Sequence, residues 1–119
     1  MAKRSGRLAL LGLAALSTAG WARAEDRLRF RNTTTVTITR LRFAEPGTNA
    51  WGANQCENDA DKSVSSDERL SLTGLKPGRY DVTLADTTGR ICTVRDVELK
   101  AGGKYALSLG NDDLKDCSK

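Results

Sequence analysis

Tyr80-Asp81-Val82-Thr83-Leu84 is the stretch that decides the fold class, because its side chains alternate between apolar and polar character. This period of two is typical of a β-strand with one face buried and the other in water. Asp86-Thr87-Thr88-Gly89 follows with the residue types of a hairpin turn, and residues 90–99 supply a partner strand. The centre of the chain therefore predicts an antiparallel hairpin.

The segments before this hairpin also have strand character. In residues 27–31 apolar side chains alternate with arginines, and residues 33–39 are rich in the β-branched side chains that favour strands. Ile38 and Leu41 would point to opposite faces of a regular strand. We therefore expect a bulge near Thr39-Arg40 that keeps both side chains in the core.

Two more short strands are predicted at residues 70–72 and 104–109, and residues 25–119 show no sustained helical periodicity. Short strands separated by turn residues are typical of a sandwich. We therefore expect an all-β fold, a disulfide-stapled antiparallel β-sandwich of about six to seven strands that forms a single domain over residues 25–119. If consecutive strands alternate in direction, the polar loop 45–67, the turn 86–89 and the C-terminal tail share one end.

Residues 1–24 have the three parts of a cleavable secretory signal peptide. Residues 1–7 carry three positive charges and no acid, residues 8–16 are apolar, and Ala22-Arg23-Ala24 is a cleavage site. This apolar run is well short of the ~20 residues that a membrane-spanning helix needs. We therefore expect an exported protein, periplasmic or secreted, with no membrane span in its mature form.

Removal of the signal peptide changes the charge balance. Four of the 19 basic residues lie within residues 1–24 and none of the 15 acidic residues do, which leaves 15 of each sign. A nucleic-acid-binding protein typically has a concentrated basic surface. The neutral mature chain therefore predicts no nucleic acid among its partners.

Cys56, Cys92 and Cys117 all remain after cleavage. An exported compartment is oxidising, and a domain of this size gains from a covalent link, so we expect one disulfide. All three are disulfide candidates, and Cys56–Cys92 is slightly preferred. The third thiol is either buried as a small apolar group or available for a bond to another molecule.

The acidic loop contains a pattern similar to a calcium-binding loop. Glu57, Asp59 and Asp61 supply alternate oxygen ligands, and Glu68 closes a twelve-residue span. Alternating carboxylates in this register can surround a calcium ion. Lys62 stands where such loops have a glycine, and a solvated acidic loop is the alternative. Calcium is the one cofactor for which the sequence supplies a hypothesis.

Trp51 and a glycosylation sequon are further candidates for contacts at the surface. An exposed Trp51 would indicate a carbohydrate or protein contact, since aromatic side chains dominate such interfaces. The alternative is that Trp51 folds back onto a core with few aromatic residues. The sequon is Asn32-Thr33-Thr34, whose threonines are also good strand formers.

The chain contains no histidine, which excludes Ser-His and Cys-His catalytic pairs and most zinc sites. It also has no G-x-S-x-G elbow, no P-loop and no C-x-x-C motif. Nothing in the sequence indicates catalytic residues, so we expect a protein that is not an enzyme.

Residues 75–84, followed by Thr88-Gly89-Arg90 and Val97-Glu98-Leu99, resemble the L-x-P-G-x-Y-x-V hairpins of prealbumin-like and carboxypeptidase-regulatory-like sandwiches. With Phe30-Arg31-Asn32 and Trp51-Gly52, the mature chain is similar to small exported bacterial proteins of uncharacterised function. The resemblance implies a sandwich and a periplasmic location, and it implies no catalytic residues.

These observations predict a non-catalytic binding or accessory module. Its partner would be a protein or a component of the cell envelope, contacted by Trp51, the loop 57–68 and the C-terminal tail. A calcium-binding module and a thiol-mediated covalent dimer or redox-responsive protein are the alternatives.

Overall fold

Seven β-strands and two short 3-10 helices form the regular structure of residues 27–119, the part of the chain that this computed structural model describes. The predicted signal peptide lies outside the described residues. The strands are β1 (Leu28–Thr33), β2 (Ile38–Ala44), β3 (Arg69–Leu72), β4 (Gly78–Asp86), β5 (Ile91–Leu99), β6 (Leu107–Gly110) and β7 (Asp116–Ser118). The 3-10 helices cover Gln55–Asn58 and Asn111–Asp113. Within residues 27–119, no helix has the length and apolar character needed to cross a membrane.

The strands form two sheets, which confirms the predicted all-β sandwich. The three-stranded sheet has the order β3-β1-β6, and the four-stranded sheet has the order β2-β4-β5-β7. Both sheets contribute fully buried side chains to one core, among them Phe30, Leu41, Val82 and Leu84. Neighbouring strands are antiparallel except β1 and β6, which run parallel.

The predicted bulge in β2 is confirmed. The register between β2 and β4 shifts between Ile38 and Arg40, and both Ile38 and Leu41 are fully buried. The shift reverses the parity of the strand, so apolar side chains on both sides of it reach the core. Just after the bulge, the Leu41 N–H donates a hydrogen bond to the Asn54 side chain at 2.9 Å.

Asn32 organises the corner where the chain leaves β1 for the other sheet. Its buried carboxamide donates to the carbonyl oxygens of Val36 at 2.8 Å and Val64 at 2.9 Å. Its carbonyl oxygen accepts from the backbone N–H and the hydroxyl of Thr34 at 2.9 and 2.6 Å. Because this amide is fully buried and has partners on both ends, the sequon at Asn32 is incompatible with a glycan in the folded protein.

The prediction that the loop 45–67 lies at one end of the sandwich is wrong. The Gly52 N–H donates to the Phe43 carbonyl oxygen at 2.9 Å, and Val64 forms a two-way bridge with Ile38 at 2.9 Å. The loop therefore runs back along the edge of β2, from one end of the strand to the other. The turn 86–89 and the start of the tail do lie at the same end, next to the residues that join β1 and β2.

The side chains of Gln55 and Asn58 attach this loop to β3. They donate hydrogen bonds to the carbonyl oxygens of Thr73 at 3.0 Å and Ser71 at 2.8 Å. The loop thus closes the side of the sandwich between β2 and β3 and occupies hydrogen-bonding groups of two edge strands, which would otherwise be open to pairing with another chain.

The preference for a Cys56–Cys92 disulfide is also wrong, because the disulfide joins Cys92 to Cys117. Cys117 lies on β7 directly opposite Cys92 on β5, with 4.0 Å between their Cα atoms. Cys56 instead packs beside Ile38 of β2, and β4 lies between β2 and β5. The three cysteines lie toward one end of the sandwich, with Cys92 on β5, Cys117 on β7 and Cys56 in the 3-10 helix Gln55–Asn58.

The disulfide is expected to hold the three-residue strand β7 against β5, since so short a terminal strand is marginal by itself. Replacing Cys92 and Cys117 together by serine should lower the free energy of unfolding by about 3–4 kcal/mol, the chain-entropy value for a loop with a sequence separation of 25. Urea unfolding measures this loss, and hydrogen exchange should become fast at residues 116–118. The Cys56→Ala variant, which keeps the disulfide, is the control. Equal protection of these amides in the serine variant and the control would contradict the assignment.

Candidate functional site

The outer face of the three-stranded sheet carries a group of four arginines. Leu28 and Phe30 of β1 point into the core, so the alternating residues Arg27, Arg29 and Arg31 lie on the opposite, outward face. Arg69 of β3 lies directly opposite Arg31 in the antiparallel register. We call Arg27, Arg29, Arg31 and Arg69 the arginine face.

The arginine face lines two shallow depressions that share Arg29 and Ser71. The first lies between Arg27 and Thr73, and the second reaches Arg69. Ser71 is the register partner of Arg29, so a small hydroxyl side chain lies beside this guanidinium group. The two depressions are lined by cations and hydroxyl-bearing residues, together with Leu28, Leu70 and Leu72, whose side chains are buried.

The charge on this face is poorly neutralised within the described residues. Among the carboxylates of residues 27–119, only Asp67 lies within ion-pair distance of these arginines, at 3.4 Å from Arg31. Both members of this pair are exposed, with 40% and 76% of their side chains accessible. An exposed pair of this kind contributes little. Elsewhere, Arg79, Arg90 and Arg95 pair with aspartates at 2.7–3.1 Å.

Arg31 is the most constrained member of the arginine face. Its guanidinium carbon lies 5.6 Å from the centre of the Tyr105 ring, and the Lys104 ammonium lies 5.8 Å from the same ring. Both distances are within the range of a cation–π contact. The Arg31 Nε atom is buried and has no hydrogen-bond acceptor, so this residue retains an unused donor beside the ring.

The four predicted calcium ligands do not converge. Glu57 forms an ion pair with Lys62 at 3.3 Å, Asp59 accepts from the Asp61 N–H at 2.8 Å, and Glu68 accepts from the Ser65 N–H at 2.8 Å. Among residues 27–119, no three acidic or cysteine side chains are grouped so that they could hold a metal ion. Lys62 does adopt the left-handed conformation that glycine has in calcium loops, with φ of 60°, but its ammonium group neutralises the first proposed ligand.

Trp51 is half-buried and lies at the start of the long loop, away from the residues 64–68 at its end. The loop at Trp51 is anchored by Asp81, whose side chain is only 3% exposed. Its carboxylate accepts from the N–H groups of Gly47 and Asp96 and from Arg95, each at 2.9 Å. The backbone hydrogen bonds from Gly47 and Asp96, followed by the Arg95 side chain, hold the pKa of Asp81 below its usual value.

The free thiol of Cys56 is fully buried and donates to the Ile38 carbonyl oxygen at 3.7 Å. Burial, together with the negative charges of Asp59 and Glu57, raises its pKa to about 11. A protonated, inaccessible thiol is a poor nucleophile. The structure therefore offers no accessible cysteine for a covalent dimer within its described residues.

The net charge of the chain did not indicate the arginine face, although the positions of three of its arginines in the sequence did. Arginines at positions 27, 29 and 31, alternating with Leu28 and Phe30, already imply a row of cations on one face. Arg69 could not be added to that row without knowing that β3 pairs with β1. The expectation of no nucleic-acid partner used the total charge, which does not report how charges are distributed.

Comparisons of this chain with protein-family models, with curated proteins and with solved structures give no match. The resemblance to prealbumin-like and carboxypeptidase-regulatory-like sandwiches stays a prediction.

The buried thiol leads to a simple expectation. In the folded protein, a thiol reagent at pH 8 should label no cysteine, because Cys56 is buried and protonated and the other two are joined. After unfolding in denaturant without reductant, it should label one thiol per chain. Mass spectrometry counts the added groups, and the Cys56→Ala variant should show none in either condition. Rapid labelling of the folded protein would contradict the burial of Cys56.

Asp81 should make stability depend on pH in the acid range. Its native pKa is lowered, so its stabilisation is present above the ordinary aspartate value of about 3.9 and is lost as the pH falls through the native pKa. The urea midpoint should therefore fall between pH 6 and pH 2.5, and Asp81→Asn should reduce that fall by destabilising the protein mainly at pH 6.

Asp112→Asn, a change in the exposed tail, is the matched control and should keep the wild-type difference in urea midpoint between pH 6 and pH 2.5. If Asp81→Asn kept the full wild-type dependence, the carboxylate would not anchor the loop as described.

Asp86 makes a second, independent contribution to the pH dependence of stability. Burial alone would raise the pKa of Asp86, but its hydrogen bonds from Thr88 and Arg90 outweigh this and lower it.

Proposed function

We propose that the protein is an exported, non-catalytic binding module whose binding surface is the arginine face. The observation that carries the proposal is the row of outward guanidinium groups on and just before β1, extended by Arg69 on β3, with one weak ion pair to them within residues 27–119. Such a row attracts anions and presents them with several donors at once. The partner would therefore be a polymer or surface that carries several negative charges.

Arginine, rather than lysine, occupies all four positions of this face. The guanidinium group is planar and always charged, and it offers paired N–H donors that fit a carboxylate or a phosphate. Lysine would supply only a point charge. The choice of residue thus supports recognition of an oxyanion and not merely a contribution to solubility.

Export is the second part of the proposal. The disulfide between Cys92 and Cys117 supports an oxidising location, and the basic, apolar and small-residue regions of residues 1–24 support secretion. The absence of histidine from the sequence supports the non-catalytic assignment.

The arginine face is a different surface from the binding site that the sequence predicted on the loops and the tail. Trp51, the residues near Glu68 and the tail do not form one patch, since the loop runs the length of β2 between the first two. The arginine face is instead built on a regular sheet, whose strands hold the side chains more rigidly than a loop would.

The arginine face can be tested with dextran sulfate, a generic polyanion, at about 50 mM salt where such contacts are strong. Replacing Arg29 and Arg69 by glutamine should weaken binding about tenfold and make the affinity less dependent on salt. The matched control replaces Arg40 on β2 and Lys115 directly before β7, two exposed cations on or beside the four-stranded sheet, and changes the net charge equally. An equal loss of affinity in both variants would show a general effect of charge and would contradict the proposed site.

A substitution that is expected to strengthen binding provides a second test of the arginine face. Asp67→Asn removes a carboxylate that pairs with the arginine face, the one such pair within residues 27–119, so binding of dextran sulfate should become tighter. Asparagine tolerates the left-handed backbone at this position, where φ is 70°, and the fold should be preserved. The same change in Asp112, in the tail, raises the net charge equally and is expected to have a smaller effect.

A further inference from the structure

The arginines of β1 are spaced like the side chains of another extended peptide. Alternate residues of a strand are about 6.8 Å apart along its axis. Arg29 and Arg31 of β1, with Arg27 directly before the strand, therefore present cations at this interval. An extended polypeptide with an acidic residue at every second position presents carboxylates at the same interval, so the two rows can lie in register.

The chemistry beside the row also suits carboxylates. Ser71 lies opposite Arg29, and Ser108 of β6 is the register partner of Arg31. These small hydroxyl groups leave the guanidinium groups accessible and can donate a hydrogen bond to a bound carboxylate. The chain itself supplies an example, since the Asp67 carboxylate already lies 3.4 Å from the Arg31 guanidinium nitrogen.

Other anionic partners fit the face less well. Single-stranded nucleic acid is held largely by stacking of its bases on aromatic rings, and the nearest ring, Tyr105, is half-buried and already in contact with Arg31 and Lys104. A membrane surface is bound by apolar side chains as well as by cations. The one large apolar side chain that is exposed within residues 27–119 is Ile91, which lies on β5 of the other sheet.

We infer that the arginine face binds an extended acidic segment of a partner protein, with carboxylates at alternate positions aligned along β1. This inference rests on the proposed function and adds the class of partner. Arg27, Arg29 and Arg31 would each meet one carboxylate, and Arg69 would reinforce the last of them beside Arg31. A ligand carboxylate would take the place of Asp67 on Arg31.

The test compares two capped, fluorescent heptapeptides of threonine and glutamate with the same composition. In one, every second residue is glutamate, and in the other the three glutamates are consecutive. Fluorescence anisotropy at low salt should show roughly two- to fivefold tighter binding of the alternating peptide, because only it places all three charges on one side. Arg29→Gln should abolish this difference, and Arg40→Gln should leave it unchanged.

Two outcomes would overturn the inference but leave the proposed function standing. The first is equal affinity for the two peptides while dextran sulfate still binds through Arg29 and Arg69. The second is tighter binding of polyphosphate, or of vesicles containing phosphatidylglycerol, than of the alternating peptide. If the variant with glutamine at positions 29 and 69 bound dextran sulfate as tightly as the wild type, the proposed function itself would be wrong. Circular dichroism of each variant confirms that the fold is intact before binding is compared.

Discussion

The carboxamide of Asn32 is the interaction on which the arrangement of the two sheets depends. It binds the β1–β2 corner at Val36 and the end of the long loop at Val64. The Asn32 backbone also exchanges hydrogen bonds with Asp67 and Glu68, just before β3 begins. An unpaired buried amide would cost about 1–3 kcal/mol, so the corner, the loop end and the start of β3 must come together at one residue. The pairing of β3 with β1, and with it the position of Arg69 beside Arg31, follows from this junction.

The alternation of side chains within each strand made much of this fold predictable from the sequence. The order in which the strands lie side by side was not predictable in this way. The alternation in residues 80–84 and the change of parity between Ile38 and Leu41 are local properties, so the strands and the bulge could be inferred from them. The partner of Cys92 depends instead on which strand lies beside β5. The path of the loop 45–67 depends on Gln55 and Asn58 reaching β3. Those contacts join distant residues, and no local pattern encodes them.

The acidic loop shows the same limit of sequence patterns, because here the pattern predicted a site that the structure does not form. Spacing in the sequence placed Glu57, Asp59 and Glu68 in the register of a calcium loop, but register alone does not decide where a carboxylate points. In the structure, nearby N–H groups and Lys62 hold each of these side chains within its own turn. The neighbouring donors compete with any ion for the same oxygens. A metal site therefore requires carboxylates that remain without such local partners, a property that spacing does not report.

This use of acids also explains how residues 27–119, with 15 basic and 13 acidic side chains, can display a strongly basic face. Asp81 and Asp86 are buried, and their carboxylates accept hydrogen bonds from backbone N–H groups and arginines on the four-stranded sheet. Asp113 accepts from the Gly110 N–H in the same manner at 2.8 Å. Acids that satisfy donors in turns are fixed in those turns and cannot move to neutralise β1. The cations of β1, in contrast, point outward simply because Leu28 and Phe30 point inward. The folded chain therefore separates its charges, and the surface available to a partner is set by the distribution of charge and not by its total.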